Sequence, residues 1–444
     1  MKSRHKAVFW IVVYMFLVLS PFIILFLAPR PPGREFLREL GVAFGFVGIS
    51  LMGIQFIPTA RLPFLADLFP MDTLYEFHHK LSLLAFGFTL AHPLLLLLNN
   101  VYVINLFNLF TAPARAQAGV LAVLALIVLV LTSARRVSLG LDYDVWHILH
   151  FLLTLVIIGF GLYHMLAVNY YTSVPAQRVL WLLMGVLWVG MILYTRVVHP
   201  IILLRRPYEV VEVTEERANS WSILLAPRGH SGFEFRAGQV AWLKFWRSPF
   251  SPLDHPFSIA TSEERQEHVG FLIKELGDLT SRMGELEVGQ TVYVDGPYGT
   301  FDLEDWRDSP NVYIAGGIGL APIASMLRTL ADRKDERPLI LFYGNPTWES
   351  VILREEIEAL QEQLNMKVVH ILERPPEGWE GETGFIREEI LERHIDFDCS
   401  ECSFFACGPL PMLDAVVDAL ESMDVPGERF NRMRQLHMEE YEMA

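Results

Sequence analysis

Apolar residues fill the first half of the chain in long runs, broken only by short polar or proline-bearing connections. Six such stretches, roughly 8–28, 36–57, 74–98, 115–133, 145–166 and 178–199, each approach the ~20 residues that a helix needs to cross a hydrocarbon core. After Tyr208 the pattern shortens to alternation, as in Tyr208-Glu209-Val210-Val211-Glu212-Val213, which is the period-two signature of strands with one buried face. Residues 208–300 therefore predict a small antiparallel barrel, with turn glycines at Gly229, Gly232, Gly238 and Gly289. From about residue 309 strands alternate with helices. Strands are expected at Asn311–Ala315, Leu339–Tyr343, Lys367–Leu372 and Ser403–Ala406, with helices from Ala321, over 349–364 and over 411–422. That alternation predicts a parallel α/β sheet. The expected fold is multidomain: a six-helix transmembrane bundle over 1–205, an antiparallel β-barrel over 206–305 and an α/β parallel-sheet domain over 306–444.

Composition supports the division. The 444 residues are 52% hydrophobic and only 20% charged, with mean hydropathy +0.32, too apolar for an ordinary soluble chain. Residues 1–206 hold 15 Lys and Arg against 7 Asp and Glu, whereas 207–444 hold 21 against 44. Disorder and a disulfide scaffold are disfavoured, and the acidic second half gives no footing for nucleic acid. The first apolar run is long, lacks a small-residue cleavage site and is followed by Pro29-Arg30-Pro31-Pro32, so it reads as a retained anchor rather than a signal peptide. With the N-terminus inside, Lys2, Arg4, Lys6, Arg61, Arg135, Arg136, Arg196, Arg205 and Arg206 fall on the cytoplasmic side. Arg30, Arg34 and Arg38 in the first outer loop depart from that bias. Six crossings place both termini in the cytoplasm, in what we expect to be a bacterial inner membrane.

Ionisable residues inside spans are functional by default. The third run carries His78, His79 and His92, and the fifth carries His147, His150 and His164. His78 to His92 and His150 to His164 are both intervals of 14 residues. Fourteen residues return a helical side chain to within ~40° of the same face and ~21 Å along the axis. Both helices run from inside to outside, so His78 and His150 share one depth and His92 and His164 another. Two facing imidazoles at each of two depths suit two stacked haems, each with no open coordination position, which is an arrangement for electron transfer. The competing reading is polar contact between helices, and zinc is disfavoured because no thiolate or carboxylate lies at matching depth.

In the second half, Gly316-Gly317-Ile318-Gly319 stands between a strand and a helix start, where glycines let a pyrophosphate approach the backbone and helix N–H groups face it. Cys407-Gly408-Pro409 follows a later strand and opens another helix. The three cysteines, Cys399, Cys402 and Cys407, show no four-cysteine cluster pattern, and a cytoplasmic site argues against a disulfide.

On these residues the chain resembles the NADPH oxidase / ferric reductase family over nearly its whole length. Leu74-Tyr75-Glu76-Phe77-His78 with Ala91-His92-Pro93, and Trp146-His147-Ile148-Leu149-His150 with Tyr163-His164, are similar to that family's haem-ligand pattern. The resemblance implies that His78 and His150 hold an inner b-type haem, and His92 and His164 an outer one. His255-Pro256-Phe257-Ser258 resembles the family's flavin motif, and Gly277-Asp278-Leu279-Thr280-Ser281 its pyrophosphate segment. In that second segment the resemblance implies that Gly277, Thr280 and Ser281 contact FAD. Asp295-Gly296-Pro297-Tyr298-Gly299 resembles the loop that closes the barrel. Gly316, Gly317, Gly319 and Pro322, then Tyr343-Gly344-Asn345, then Cys407, Gly408 and Pro409 resemble the nicotinamide-nucleotide segments. Where the family often has arginine after Gly-Asn, this chain has Pro346; Arg354 or Arg374 is the substitute to test, and NADPH versus NADH stays open. Tyr441 stands near the C-terminal place of a flavin-stacking aromatic.

The resemblance implies a transmembrane oxidoreductase that draws on NAD(P)H and uses FAD and two haems. Dioxygen, yielding superoxide, is the first expected acceptor. A ferric chelate or a periplasmic partner protein is the alternative. No calcium-loop pattern is present, and no obligatory regulatory subunit is expected.

Overall fold

The computed structural model describes residues 2–29, 31–66, 68–69, 71–303, 310–397, 402–423 and 436–440. It divides into two compact units, Met1–Pro200 and Ile201–Ala444.

The first unit holds six helices long and apolar enough to span a membrane: His5–Leu27, Phe36–Thr59, Thr73–Asn99, Ala114–Ala134, Tyr143–Val168 and Pro175–Leu204. Their regular helices are α1 (Lys2–Leu27), α2 (Phe36–Ile54), α3 (Met71–Asn99), α4 (Ala114–Ala134), α5 (Tyr143–Val168) and α6 (Pro175–Leu193). Each predicted run is present, extended by a few residues. In lipid every backbone group must find its partner within the protein, and α1 shows the consequence. Pro21 has no N–H for the Leu17 carbonyl, and the Ser20 hydroxyl donates to that carbonyl instead at 2.8 Å. The Pro21 carbonyl in turn accepts from Gln177 Nε2 of α6 at 2.5 Å.

Glycines set how closely the helices approach. A Cβ at Gly41 would lie 3.2 Å from Leu95 Cβ, and one at Gly45 would lie 3.0 Å from His92 Nδ1. The Gly41-x-x-x-Gly45 stripe thus seats α3 against α2, the packing expected where lipid supplies no hydrophobic drive. Trp181 and Trp188 of α6 are fully buried, and Trp188 lies where a Cβ at Gly53 would collide with it.

The second unit begins with a barrel of six antiparallel strands in the order β4-β3-β6-β1-β2-β5. These are β1 (Tyr208–Glu216), β2 (Ser220–Pro227), β3 (Val240–Lys244), β4 (His255–Ser258), β5 (Val269–Lys274) and β6 (Thr291–Tyr298). Its core gathers the inward residues of the alternating pattern, among them Tyr208, Val210, Ile223, Leu225, Phe271 and Val292.

A second sheet follows in the order β10-β9-β8-β7-β11-β12, all parallel. Its strands are β7 (Asn311–Gly316), β8 (Leu339–Asn345), β9 (Met366–Leu372), β10 (Glu382–Thr383), β11 (Ser403–Gly408) and β12 (Leu436–Glu440). The central strands β7 and β11 are buried almost throughout, as a sheet covered on both faces requires. Helices α7 (Leu320–Asp332) and α8 (Arg354–Gln363) contribute to one core, and α9 (Glu388–His394) and α10 (Leu410–Ser422) to the other. The sheet is one strand longer at each edge than the sequence pattern indicated, because β10 and β12 are short additions beside strong central strands. The expected helix over 349–364 is shorter, since a 3-10 turn at Trp348–Ser350 and left-handed Leu353 precede α8.

Candidate functional site

The bundle brings the four expected imidazoles together in two pairs. The ring centroids of His78 and His150 are 6.4 Å apart, and those of His92 and His164 are 6.2 Å apart. Neither pair is in direct hydrogen-bond contact; each ring spends its Nδ1 elsewhere. His92 Nδ1 lies 2.8 Å from the Gly41 carbonyl and His164 Nδ1 lies 2.6 Å from the Arg115 carbonyl. A carbonyl only accepts, so both Nδ1 atoms carry the proton and both Nε2 atoms keep a lone pair. At the other depth, His78 Nδ1 faces Gln55 Oε1 at 3.2 Å and His150 Nδ1 faces Ser133 Oγ at 3.3 Å.

These distances test whether a metal fits. Metal–imidazole bonds of about 2.0–2.1 Å, with the metal midway between two nitrogens, put the ring centroids about 6.3 Å apart. Both pairs match that separation, and the His92 and His164 rings have the tautomer a ligand needs. The cradle is glycine-lined: a Cβ at Gly119 would sit 2.7 Å from His164 Nδ1, mirroring Gly45 against His92. Among the described residues, no group of three or more His, Cys, Asp or Glu is placed to hold a metal ion. The donor set is therefore two imidazoles per site, which suits haem iron and leaves a bare tetrahedral ion under-coordinated. His79 and His147 do not join either pair; the His147 ring packs against Tyr143 and Trp146.

Sequence reasoning missed the groups that orient the rings. Gly41 and Arg115 act through main-chain carbonyls, which leave no residue-type signal. The Gly41-x-x-x-Gly45 pattern was the available clue to the close α2–α3 contact.

In the second unit, the C-terminal ends of β7 and β11 mark the switch point of the parallel sheet, where ligands bind in such folds. The glycines there divide by role. A Cβ at Gly316 would lie 2.7 Å from Met412 Sδ, one at Gly319 would strike the Cys407 carbonyl, and one at Gly408 would strike Met412. Gly319 thus lets the turn after β7 close on β11, and Gly316 and Gly408 make room for Met412 of α10. Gly317, at φ +53 with open space around its Cβ position, is the glycine that leaves room for a ligand. Pro322 is buried in the first turn of α7, and Cys407 is fully buried and outside any disulfide. Tyr343 is buried with its hydroxyl donating to the Ile352 carbonyl at 3.3 Å, beside Gly344 at the end of β8. Pro409 caps α10.

His255, Pro256, Phe257 and Ser258 form β4, paired with β3 in the register Leu243↔His255 and Val240↔Ser258. A buried ion pair, Lys244 to Asp254 at 3.4 Å, lies beside the start of that strand. In the loop from Gly277, Thr280 Oγ1 accepts the N–H of Leu276 at 2.8 Å and of Gly277 at 3.0 Å, and Ser281 Oγ donates to the Asp278 carbonyl at 3.1 Å. Both hydroxyls thus shape the turn themselves. Pro297 follows a cis peptide at Gly296, where a Cβ would lie 2.8 Å from Ala241 Cβ, holding β6 against β3. Tyr441 lies outside the described residues.

Beyond β8, Arg354 lies 4.7 Å over the Trp348 ring, and Trp348 packs on His370 and Trp379. Burial, with Arg354 as a lesser cause, pushes His370 down to about 4. Glu355 is claimed by Arg217 through two bonds of 2.6 Å, which hold its carboxyl down at about 2. Arg354 therefore has only a secondary contact with Glu355, at 3.3 Å. Arg374 sits by the same loop, its N–H on the Pro346 carbonyl at 2.9 Å. Cys402 is in a disulfide, contrary to the expectation of reduced thiols. Cys399 lies outside the described residues.

Comparison with known proteins agrees with this division. Residues 44–161 match the family model described as ferric reductase like transmembrane component, 206–302 the FAD-binding domain and 313–418 the oxidoreductase NAD-binding domain. His78, His92 and His150 fall inside the first match; His164 lies just past it. The chain is 31% identical over 165 residues to NADH-cytochrome b5 reductase 1 of Lodderomyces elongisporus, covering 36% of this chain and 55% of that one. It is also 31% identical over 216 residues to the reductase component of propane 2-monooxygenase from Mycolicibacterium smegmatis, covering 47% and 61%. Among solved structures, the ferredoxin reductase in carbazole 1,9a-dioxygenase aligns at TM-score 0.45 and 25% identity over 53% of this chain and 68% of that one. The chain spans somewhat over half the length of these curated relatives. It carries a ferric-reductase-like transmembrane component followed by FAD-binding and NAD-binding domains, which is the architecture of NADPH oxidase and ferric reductase-like proteins.

Proposed function

We propose that this integral membrane oxidoreductase passes electrons from cytosolic NAD(P)H through FAD and two b-type haems to dioxygen on the far side of the membrane, with superoxide as product. The observation that carries the reading is the pair of imidazole separations, 6.4 and 6.2 Å, each of which would suit two rings holding one metal. When bound, FAD would supply the change from a two-electron hydride to single electrons, and the haems would supply one-electron couples.

The chain's own contribution is position. His78 and His150 would hold the inner iron, and His92 and His164 the outer one, with the Nδ1 contacts fixing each ring. On β4, His255, Pro256, Phe257 and Ser258 would shape the flavin site. The N–H groups of the Gly277 loop would face the pyrophosphate, the Thr280 and Ser281 hydroxyls being spent within the turn. Gly316, Gly317, Gly319 and Pro322, with Tyr343, Gly344 and Cys407, Gly408 and Pro409, would form the nicotinamide crevice. The apolar bundle keeps water from the bilayer sites, and an even number of crossings keeps both termini on the side of the nucleotide.

A second reading, delivery of electrons to a periplasmic partner, draws on the turn Val101–Phe107 and the residues after it. Tyr102 and Phe110 there are 76% and 96% exposed. The test uses detergent-purified, FAD-loaded protein with NADPH in air, following cytochrome c reduction with and without superoxide dismutase. Abolition by the dismutase supports dioxygen as acceptor. Persistence unchanged overturns it in favour of direct transfer to a ferric chelate or protein.

A further inference from the structure

The two imidazole pairs are held differently on their Nδ1 sides. The outer rings meet main-chain carbonyls at 2.8 and 2.6 Å. The inner rings meet side chains at 3.2 and 3.3 Å, Gln55 for His78 and Ser133 for His150. Ser133 has a second claimant, because the Trp146 indole Nε1–H donates to the same Oγ at 3.2 Å. An indole only donates, so Trp146 occupies one of the hydroxyl's lone pairs. The indole is fixed where it can do so: its ring centroid lies 5.4 Å from that of His150, and the Arg136 guanidinium lies 5.9 Å over its face.

We propose that Ser133 and Trp146 are positioning residues that set the donor strength of the His150 ring, and thereby the reduction potential of the inner haem. The inference rests on the haem reading given above. A ligating imidazole becomes a stronger donor as its distal N–H is drawn toward a good acceptor, and a stronger donor favours the oxidised metal. A hydroxyl oxygen already accepting from Trp146 is a poor acceptor, so the His150 Nδ1 proton stays with the ring. The outer rings have no such control, since a backbone carbonyl is unchanged by substitution of its own side chain.

The two residues then act in opposite senses. Ser133→Ala removes the acceptor and shifts the inner couple to higher potential. Trp146→Phe keeps the ring but frees Ser133 to accept from His150 alone, and shifts the couple lower. Ser133→Thr restores the hydroxyl and returns the couple toward wild type. The measurement is an anaerobic redox titration of the full, haem- and FAD-loaded protein, followed in the haem absorption bands. The inner component is assigned as the one missing from His150→Ala. A tenfold change in the one-electron equilibrium corresponds to about 59 mV. Opposite shifts confined to the inner component bear the inference out. Shifts of the same sign, no shift, or an equal movement of the outer component overturn it. If Ser133→Ala fails to retain the haem, Trp146→Phe carries the test alone: a lower inner potential bears the inference out, and a higher or unchanged one overturns it. Wild-type protein without haem would instead defeat the proposed function itself.

Discussion

Gly119→Ala separates a haem-holding bundle from one that is merely well packed. In a helix interior, replacing glycine with alanine ordinarily stabilises by about 0.8–1.0 kcal/mol. At Gly119 the added Cβ would stand 2.7 Å from His164 Nδ1 and 3.1 Å from its Cγ, where ordinary contact begins at 3.4 Å. The ring must retreat by about 0.7 Å, against a tolerance of about 0.2 Å for metal–ligand distances. It cannot retreat freely, because its Nδ1 is tied to the Arg115 carbonyl. The expected outcome is loss of the outer haem with the inner one kept, so that haem per chain falls from two toward one while FAD binding is unchanged. Gly87→Ala is the control: it lies on α3, the helix of His78 and His92, with nothing within 4 Å of its Cβ position. It should keep both haems. A Gly119→Ala protein with two haems and an unaltered spectrum would refute the assignment of His164 as a ligand held in this geometry.

Other consequences can be checked alongside. His150→Ala should remove one haem's absorbance and stop reduction of the other by NADPH, as read by anaerobic spectra. Arg354→Ala should raise KM for NADPH several-fold and leave KM for NADH nearly unchanged, if Arg354 meets the 2′-phosphate; equal effects on both would exclude that role. Gly319→Ala forces a Cβ onto the Cys407 carbonyl and should cost about 1–3 kcal/mol, seen as a lower Tm of the second unit and weaker nucleotide binding. His370 has a folded pKa lowered to about 4, so between its ordinary value and that point the unfolded chain binds the extra proton. Stability is then lost as pH falls through this window, and His370→Gln should flatten that part of the Tm–pH curve relative to wild type.

Much of the architecture was legible because it rests on long-period patterns. Six apolar runs set the spans, and the change to alternation at Tyr208 set the barrel. The interval of 14 residues between His78 and His92, repeated between His150 and His164, anticipated the two pairs because a helix converts spacing directly into face and depth. What escaped depends on groups without a residue-type signature. The Gly41 and Arg115 carbonyls could be any residue's carbonyl. Gly316 and Gly319 read as part of a turn open to a pyrophosphate; the collisions a Cβ would meet set Gly319 against Cys407 of β11 and Gly316 against Met412 of α10, with Gly317 left facing open space. Thr280 and Ser281 read as ligand contacts, and nothing in the sequence signalled that their hydroxyls also bond within their own turn, which short polar side chains commonly do.

The central claim is that two metal centres in the bundle are filled from the nucleotide side. It is tested most directly by mixing the purified, FAD-loaded protein with NADPH in the absence of oxygen and recording the haem spectrum together with haem per chain. The account predicts two haems per chain, both reduced by the nucleotide. Fewer than two haems, or haems that stay oxidised beside a reduced flavin, would contradict it.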